Sequence, residues 1–126
     1  MQNLTIASAA RTPEITLDVS SLTCAIVGES YPEDTLKFYG SALPVIFEFL
    51  ETKHASPVVF IFNLKYFNSS SAKIIIDLFH ALESSAQLGN TVNVQWHYIT
   101  DDDNMKELGE EFSEELELAQ FALVEV

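Results

Sequence analysis

The segment Phe67-Asn68-Ser69-Ser70-Ser71-Ala72-Lys73 lies between an apolar run and a stretch with helical spacing. Three consecutive hydroxyls at a helix start exceed what one cap requires, although serine and asparagine are ordinary N-cap residues. The chemistry they offer is phosphorylation. A phosphate there would meet free backbone N–H groups and the positive end of the helix dipole. Lys73, four residues after Ser69, supplies a cation. An added charge of about −1.5 to −2 would change how a partner docks. Capping and switching are compatible, since a side chain can cap until it is modified. The helix that follows has a main apolar stripe, Ala72, Ile75, Ile76, Phe79, Leu82 and Ala86. Ile74, Leu78 and Ala81 form a second stripe. Burial against another helix accounts for it. The alternative is a partner surface beside the serines, built from Asn68, Ser70, Ser71, Lys73, Ile74 and Leu78.

Other residues with chemical potential form no constellation. His54, His80 and His97 stand at no ligand spacing from one another or from Cys24, and a metal site needs several converging ligands. Cys24 sits in an apolar strand, where a cysteine behaves as a small hydrophobe. Asp101-Asp102-Asp103 fails as a calcium loop: counting from Asp101, the sixth residue is Lys106 and the twelfth is Phe112. These aspartates read as a helix cap, with a metal-binding enzyme as the minority reading. No glycine-rich phosphate loop or nucleophile elbow occurs, so nothing calls for a catalytic residue or a cofactor.

The elements that position the serines follow from length and pattern. The chain has 126 residues, with 48% hydrophobic and 20% charged, which predicts one globular domain spanning residues 1–126. Nineteen acids against six bases give a net charge of −13. Such a surface repels phosphate backbones and anionic membranes. With no signal-like start and a single cysteine, the expectation is a cytoplasmic protein. Asn3–Ser8, in which Leu4, Ile6 and Ser8 alternate with Asn3, Thr5 and Ala7, Ile15–Val19 and Leu22–Val27 read as short strands, the last closed by Gly28. Ser30-Tyr31-Pro32-Glu33 has capping-box spacing. From Glu33 to about Thr52 the expectation is a kinked helix or two in tandem, broken near Gly40 and Pro44. Pro57–Phe62, apolar on both faces, predicts a central strand covered on both sides. The Ser69–Gln87 helix leads to a strand over Val92–Tyr98 whose alternation buries one face. An acidic helix over Asp101–Glu117 and a last strand near Phe121–Val124 complete an α/β (α+β) sandwich: a mixed sheet with about three helices.

Several stretches together resemble one family. They are Thr12-Pro13-Glu14-Ile15, Gly28-Glu29-Ser30-Tyr31-Pro32-Glu33, Leu64-Lys65-Tyr66-Phe67-Asn68-Ser69-Ser70-Ser71 with Lys73, and Val94-Gln95-Trp96. Asp101-Asp102, Met105, Gly109-Glu110 and Phe112 follow. In this order and spacing the chain resembles the SiaC family of bacterial regulatory phosphoproteins, whose fold is STAS-like, similar to anti-sigma-factor antagonists. The resemblance implies a non-catalytic switch. A partner serine/threonine kinase would phosphorylate the hydroxyl after Phe67-Asn68, and a PP2C-type phosphatase would remove the phosphate. The unphosphorylated form would bind and activate a diguanylate cyclase in cyclic di-GMP and biofilm signalling. The matching position is Ser69, where a member of the family carries threonine; Ser70 and Ser71 are alternatives. An anti-sigma-factor antagonist that sequesters an anti-sigma kinase is the second reading.

Overall fold

The structure, a computed structural model, describes residues Met1–Val126. In chain order the elements are β1 (Leu4–Ile6), β2 (Glu14–Asp18), β3 (Thr23–Ser30), α1 (Thr35–Tyr39), α2 (Ala42–Glu51), β4 (Val58–Phe67), α3 (Ser69–Gln87), β5 (Val92–Tyr98), α4 (Asp103–Ser113) and β6 (Gln120–Glu125). The strands form one sheet in sequential order, β1-β2-β3-β4-β5-β6. The first three pair antiparallel and the last four pair parallel. The mixed sheet matches expectation.

Parallel neighbours need crossovers, and helices supply all three here. Right-handed crossovers taken in one direction place successive helices on one face of a sheet. Burial is accordingly one-sided. Ile15 and Leu17 on β2, Cys24 and Ile26 on β3, and Phe60 and Phe62 on β4 are buried, as are Val94 and Trp96 on β5. The Phe62, Trp96 and Phe112 rings stack around Phe79, with centroids 5.1–6.2 Å from it. Each such ring contributes about 1.5–3 kcal/mol by leaving water, so this layer outweighs any single cap.

Several local expectations are corrected. The Glu33–Thr52 segment takes the tandem arrangement of the two expected, and the count of about three helices becomes four. Gly40 and Ser41 separate them, and Pro44 falls in the first turn of α2, where no intrahelical bond is lost. Ser30 does not cap α1: Asp34 does, its carboxylate accepting the Lys37 N–H at 3.1 Å. Gly28 does not close β3. The strand runs on through a bulge in which Gly28 pairs with Leu64 and Glu29 with Tyr66, so Lys65 is the extra residue. Gly28 has φ +123°, which glycine adopts without strain. The bulge shifts the alternation, bringing Ser30 opposite Phe67 at the end of β4.

The largest correction concerns β4. It is central as expected, but only the Val58–Phe60–Phe62–Leu64 side is covered. Val59, Ile61 and Asn63 point to the other side and are half-buried. Thr23, Ala25 and Val27 of β3 flank them on one hand, and Asn93, Gln95 and His97 of β5 on the other.

Candidate functional site

The end of β4 delivers the chain into α3. Phe67 is partly buried, its ring 6.2 Å from Trp96 and 6.0 Å from Phe112. The next residue is tied twice: Asn68 N–H donates to Ser30 O at 3.0 Å, and Asn68 Oδ1 accepts the Ser71 N–H at 2.9 Å. Asn68, not a serine, is therefore the cap. The helical ladder starts with Ala72 N–H donating to Asn68 O at 2.9 Å, which leaves the Ser69 and Ser70 amides ahead of it.

The three serines divide. Ser69 and Ser70 are exposed at the first two helical positions. Ser71 is fully buried. Its Oγ lies 2.7 Å from Ser30 Oγ, which lies 2.6 Å from Tyr39 OH. This row of hydroxyls links the ends of β3 and α1 to the first turn of α3. Burial pushes the Tyr39 phenol up, against the opposing pull of the Ser30 hydrogen bond. Ser71 is thus a structural group, and it offers a kinase no accessible oxygen. Ser30 and Tyr39 escaped the sequence reading because Ser30 and Ser71 stand 41 residues apart. The only signal was Ser30 lying inside one of the stretches that carry the family resemblance.

Lys73 is exposed and takes part in no ion pair. A cleft of about 350 Å³ lies beside it, bounded by Asp34, Leu36, Ser70, Lys73, Ile74 and Asp77. Glu33 also lines it, held by Arg11 at 2.6 Å. Leu36 is 76% exposed, an apolar side chain on an acidic rim. Of the apolar residues assigned to a partner surface, Ile74 lines this cleft but is only 5% exposed, and Leu78 is fully buried. Ile74 and Leu78 of the second stripe are therefore core, while Ala81, partly buried, lines a cleft between α3 and the Phe47–Glu51 end of α2.

The remaining candidates have structural partners. His54 Nε2 lies 2.7 Å from Phe49 O, His80 Nε2 3.1 Å from Glu115 Oε2, and His97 Nε2 3.0 Å from Gln95 Oε1. Burial pushes the Cys24 thiol up to about 12, so it is not a ready nucleophile. Asp102 caps α4, its carboxylate accepting the Met105 N–H at 3.0 Å. No three His, Cys, Asp or Glu side chains converge as metal ligands would. No helix is long and apolar enough to cross a membrane.

Glu83 was not foreseen. It is a buried carboxylate on α3 that accepts the N–H groups of Glu117, Leu118 and Ala119 at 2.9–3.1 Å. Burial raises its pKa, but these donors outweigh burial and hold it below the usual carboxylate value.

Comparison with known proteins bears on the chain as a whole. Residues 6–126 match the model of the SiaC family regulatory phosphoproteins. A protein of Pseudomonas aeruginosa (strain UCBPP-PA14) is 32% identical over 115 residues, covering 91% of this chain and 90% of that one. The crystal structure of apo-SiaC from Pseudomonas aeruginosa superposes with a TM-score of 0.86 at 33% identity, covering 98% of this chain and 99% of that one. The crystal structure of the diguanylate cyclase SiaD in complex with its activator SiaC, from the same species, matches with a TM-score of 0.89. That match has 31% identity and the same coverage. Sheet order, helix positions and nearly the full length agree, and the chain belongs to the SiaC family of regulatory phosphoproteins.

Proposed function

We propose that this chain is a non-catalytic, phosphorylation-controlled activator of a diguanylate cyclase, acting in the cytoplasm as one domain. A partner serine/threonine kinase phosphorylates Ser69, and a PP2C-type phosphatase restores it. The observation that carries this reading is the start of α3. Ser69 and Ser70 are exposed there, Asn68 already serves as the cap, and the first turn holds no acidic residue. A phosphate on Ser69 Oγ would find the unpaired amides of the first turn and the ammonium of Lys73. It would also set a dianion beside the acidic cleft where Leu36 is exposed, and so oppose the docking of a partner there. The activation of SiaD by the structural neighbour supports a cyclase as the partner. Asn68, Ser70, Lys73 and the cleft-lining Ile74 belong to the docking surface in this reading. Ser71 and Leu78 support it from beneath.

The test is direct. Protein from its native host is mapped for phosphate by peptide mass spectrometry, with phosphatase-treated protein as control. Binding to diguanylate cyclases of the same host is then measured for Ser69→Ala and Ser69→Asp. We expect phosphate on Ser69 and a loss of affinity of about tenfold or more for Ser69→Asp alone, equivalent to about 1.4 kcal/mol. Equal binding by the two variants would refute a switch at Ser69. Capture of an anti-sigma kinase in place of a cyclase would move the protein to the antagonist reading.

A further inference from the structure

We infer that the uncovered face of the sheet is a self-association surface, on which a second copy of this chain packs sheet to sheet. The first observation is the composition of β4. Val58-Val59-Phe60-Ile61-Phe62 is apolar at every position, the pattern of a strand covered on both faces. The chain covers only one. Val59 and Ile61 stand on the other, half-buried by their strand neighbours, with no helix over them.

The second observation is charge. Three residues each from β3, β4 and β5 form the middle of this face, from Thr23 to His97, and none is an acid, lysine or arginine. The three that β6 adds, Gln120, Ala122 and Val124, are uncharged as well. Charges appear at its margins, as Glu14 and Asp18 on β2 and as Glu29 and Lys65 at the bulge. In a chain of net charge −13 this is the surface from which carboxylates are missing.

That absence selects the occupant. A basic partner would gain from meeting the acids found elsewhere on the molecule, whereas an equally acidic partner is repelled there. A face cleared of charge suits a partner of the same charge, which a second copy is by definition. Asn63, Asn93 and Gln95 each carry both donors and acceptors, so a two-fold axis can satisfy them against their own counterparts. The face lies opposite the helical layer that carries Ser69, so the pairing leaves the phosphorylation site free. About a dozen residues is fewer than the ~20–30 a side of a standard interface, which places the dimer in the weak class.

Sedimentation equilibrium of the full chain, from about 10 µM to about 1 mM, tests this. The expected result is a shift from 14.1 kDa to twice that mass, with a dissociation constant of about 10–100 µM. Association should tighten with salt, because like charges are screened. Gln95→Glu and Ile61→Asp each place a carboxylate on the face and should raise the dissociation constant tenfold or more. Leu88→Asp, an equal charge at the end of α3, should not. Thermal melts separate dissociation from unfolding for both variants, and Gln95→Glu keeps a carboxylate oxygen opposite His97 Nε2 in place of the amide oxygen. A chain monomeric to about 1 mM overturns the inference, as does a dimer indifferent to both variants. A monomer whose binding to the cyclase is abolished by Gln95→Glu overturns it too, and gives the face to that partner.

Discussion

Two helices of this protein begin with the same cap geometry, and only one of them carries charge there. α3 follows β4, α4 follows β5, and each opens with an Asn or Asp side chain accepting the N–H three residues on, at 2.9 and 3.0 Å. At α4 the cap is Asp102, flanked by Asp101 and Asp103, so carboxylates of the chain already occupy the positive end of the dipole. At α3 the cap is the neutral Asn68, the next residues are hydroxyls, and no acid stands in the first turn. With nineteen acids available, the chain leaves this helix start uncompensated, as it does that of α2, but here exposed serines and a lysine stand at it. The amides of residues 117–119 are a third case, filled by the Glu83 carboxylate. Two of the three amide clusters hold an internal anion, and the vacant one stands beside an exposed serine and a free lysine.

The anchoring of the two helices differs as well, and the largest expected effect lies there. α4 is clamped to β5: Trp96 Nε1–H donates to Met105 O at 3.0 Å, and the indole lies where a Gly109 side chain would be. Gly109→Ala should cost about 3 kcal/mol by overpacking, read as a lowered melting temperature, with α3 and its serines unchanged in hydrogen exchange. α3 is anchored instead by the buried hydroxyls. Ser71→Ala leaves Ser30 short of a partner and should cost about 1–2 kcal/mol. Unlike Gly109→Ala, it should speed exchange at the amides of Ser71 and Ala72, which bond to Asn68. If both variants loosen the same helix, the contrast in anchoring is wrong.

Exchanging the caps sharpens the comparison further. Asn68→Asp should stabilise the fold by about 0.3–1 kcal/mol and slow phosphorylation of Ser69, because the dipole end is then occupied. Asp102→Asn should lose a similar amount and leave phosphorylation untouched. Equal phosphorylation rates in Asn68→Asp and wild type would show that the vacant dipole end does not matter to the kinase. The smallest effect is the pH dependence contributed by Glu83. Its pKa is lowered in the fold, so its contribution is present in full above the unfolded value and is lost as pH falls through the folded one. Wild type and Glu83→Gln should therefore converge in melting temperature on acidification, and a gap that stays constant would remove the anion-holding role of those amides.

What could be read in the sequence tracks how local its cause is. The Val92–Tyr98 strand was legible because alternation is a property of neighbours. The Ser69–Gln87 helix was legible because its stripe repeats every turn. The Ser30–Glu33 capping box was misread because the spacing is right but the partner of Ser30 is Ser71, on a strand–helix junction 41 residues away. Asn68 was named as part of the site, but its capping role depends on the angle at which β4 feeds α3, and the adjacent serines masked it. The apolar run in β4 was read correctly as central and wrongly as enclosed, since one strand records that a face is hydrophobic and not what covers it. The vacant helix start emerged only when α3 and α4 could be set side by side.

The sequential strand order bears on how the molecule is made. Every strand pairs with the one synthesised just before it, so the sheet can grow outward along a single advancing edge as the chain leaves the ribosome. No early strand must wait for a late one to fill a gap beside it. Ser30 and Tyr39 are in place before α3 is translated, so the seat of the serines closes on a finished floor without β5 or β6. Chain-length truncations ending after Gln87 should therefore already protect the amides of β3 and β4 from exchange, while those ending before Val58 should not.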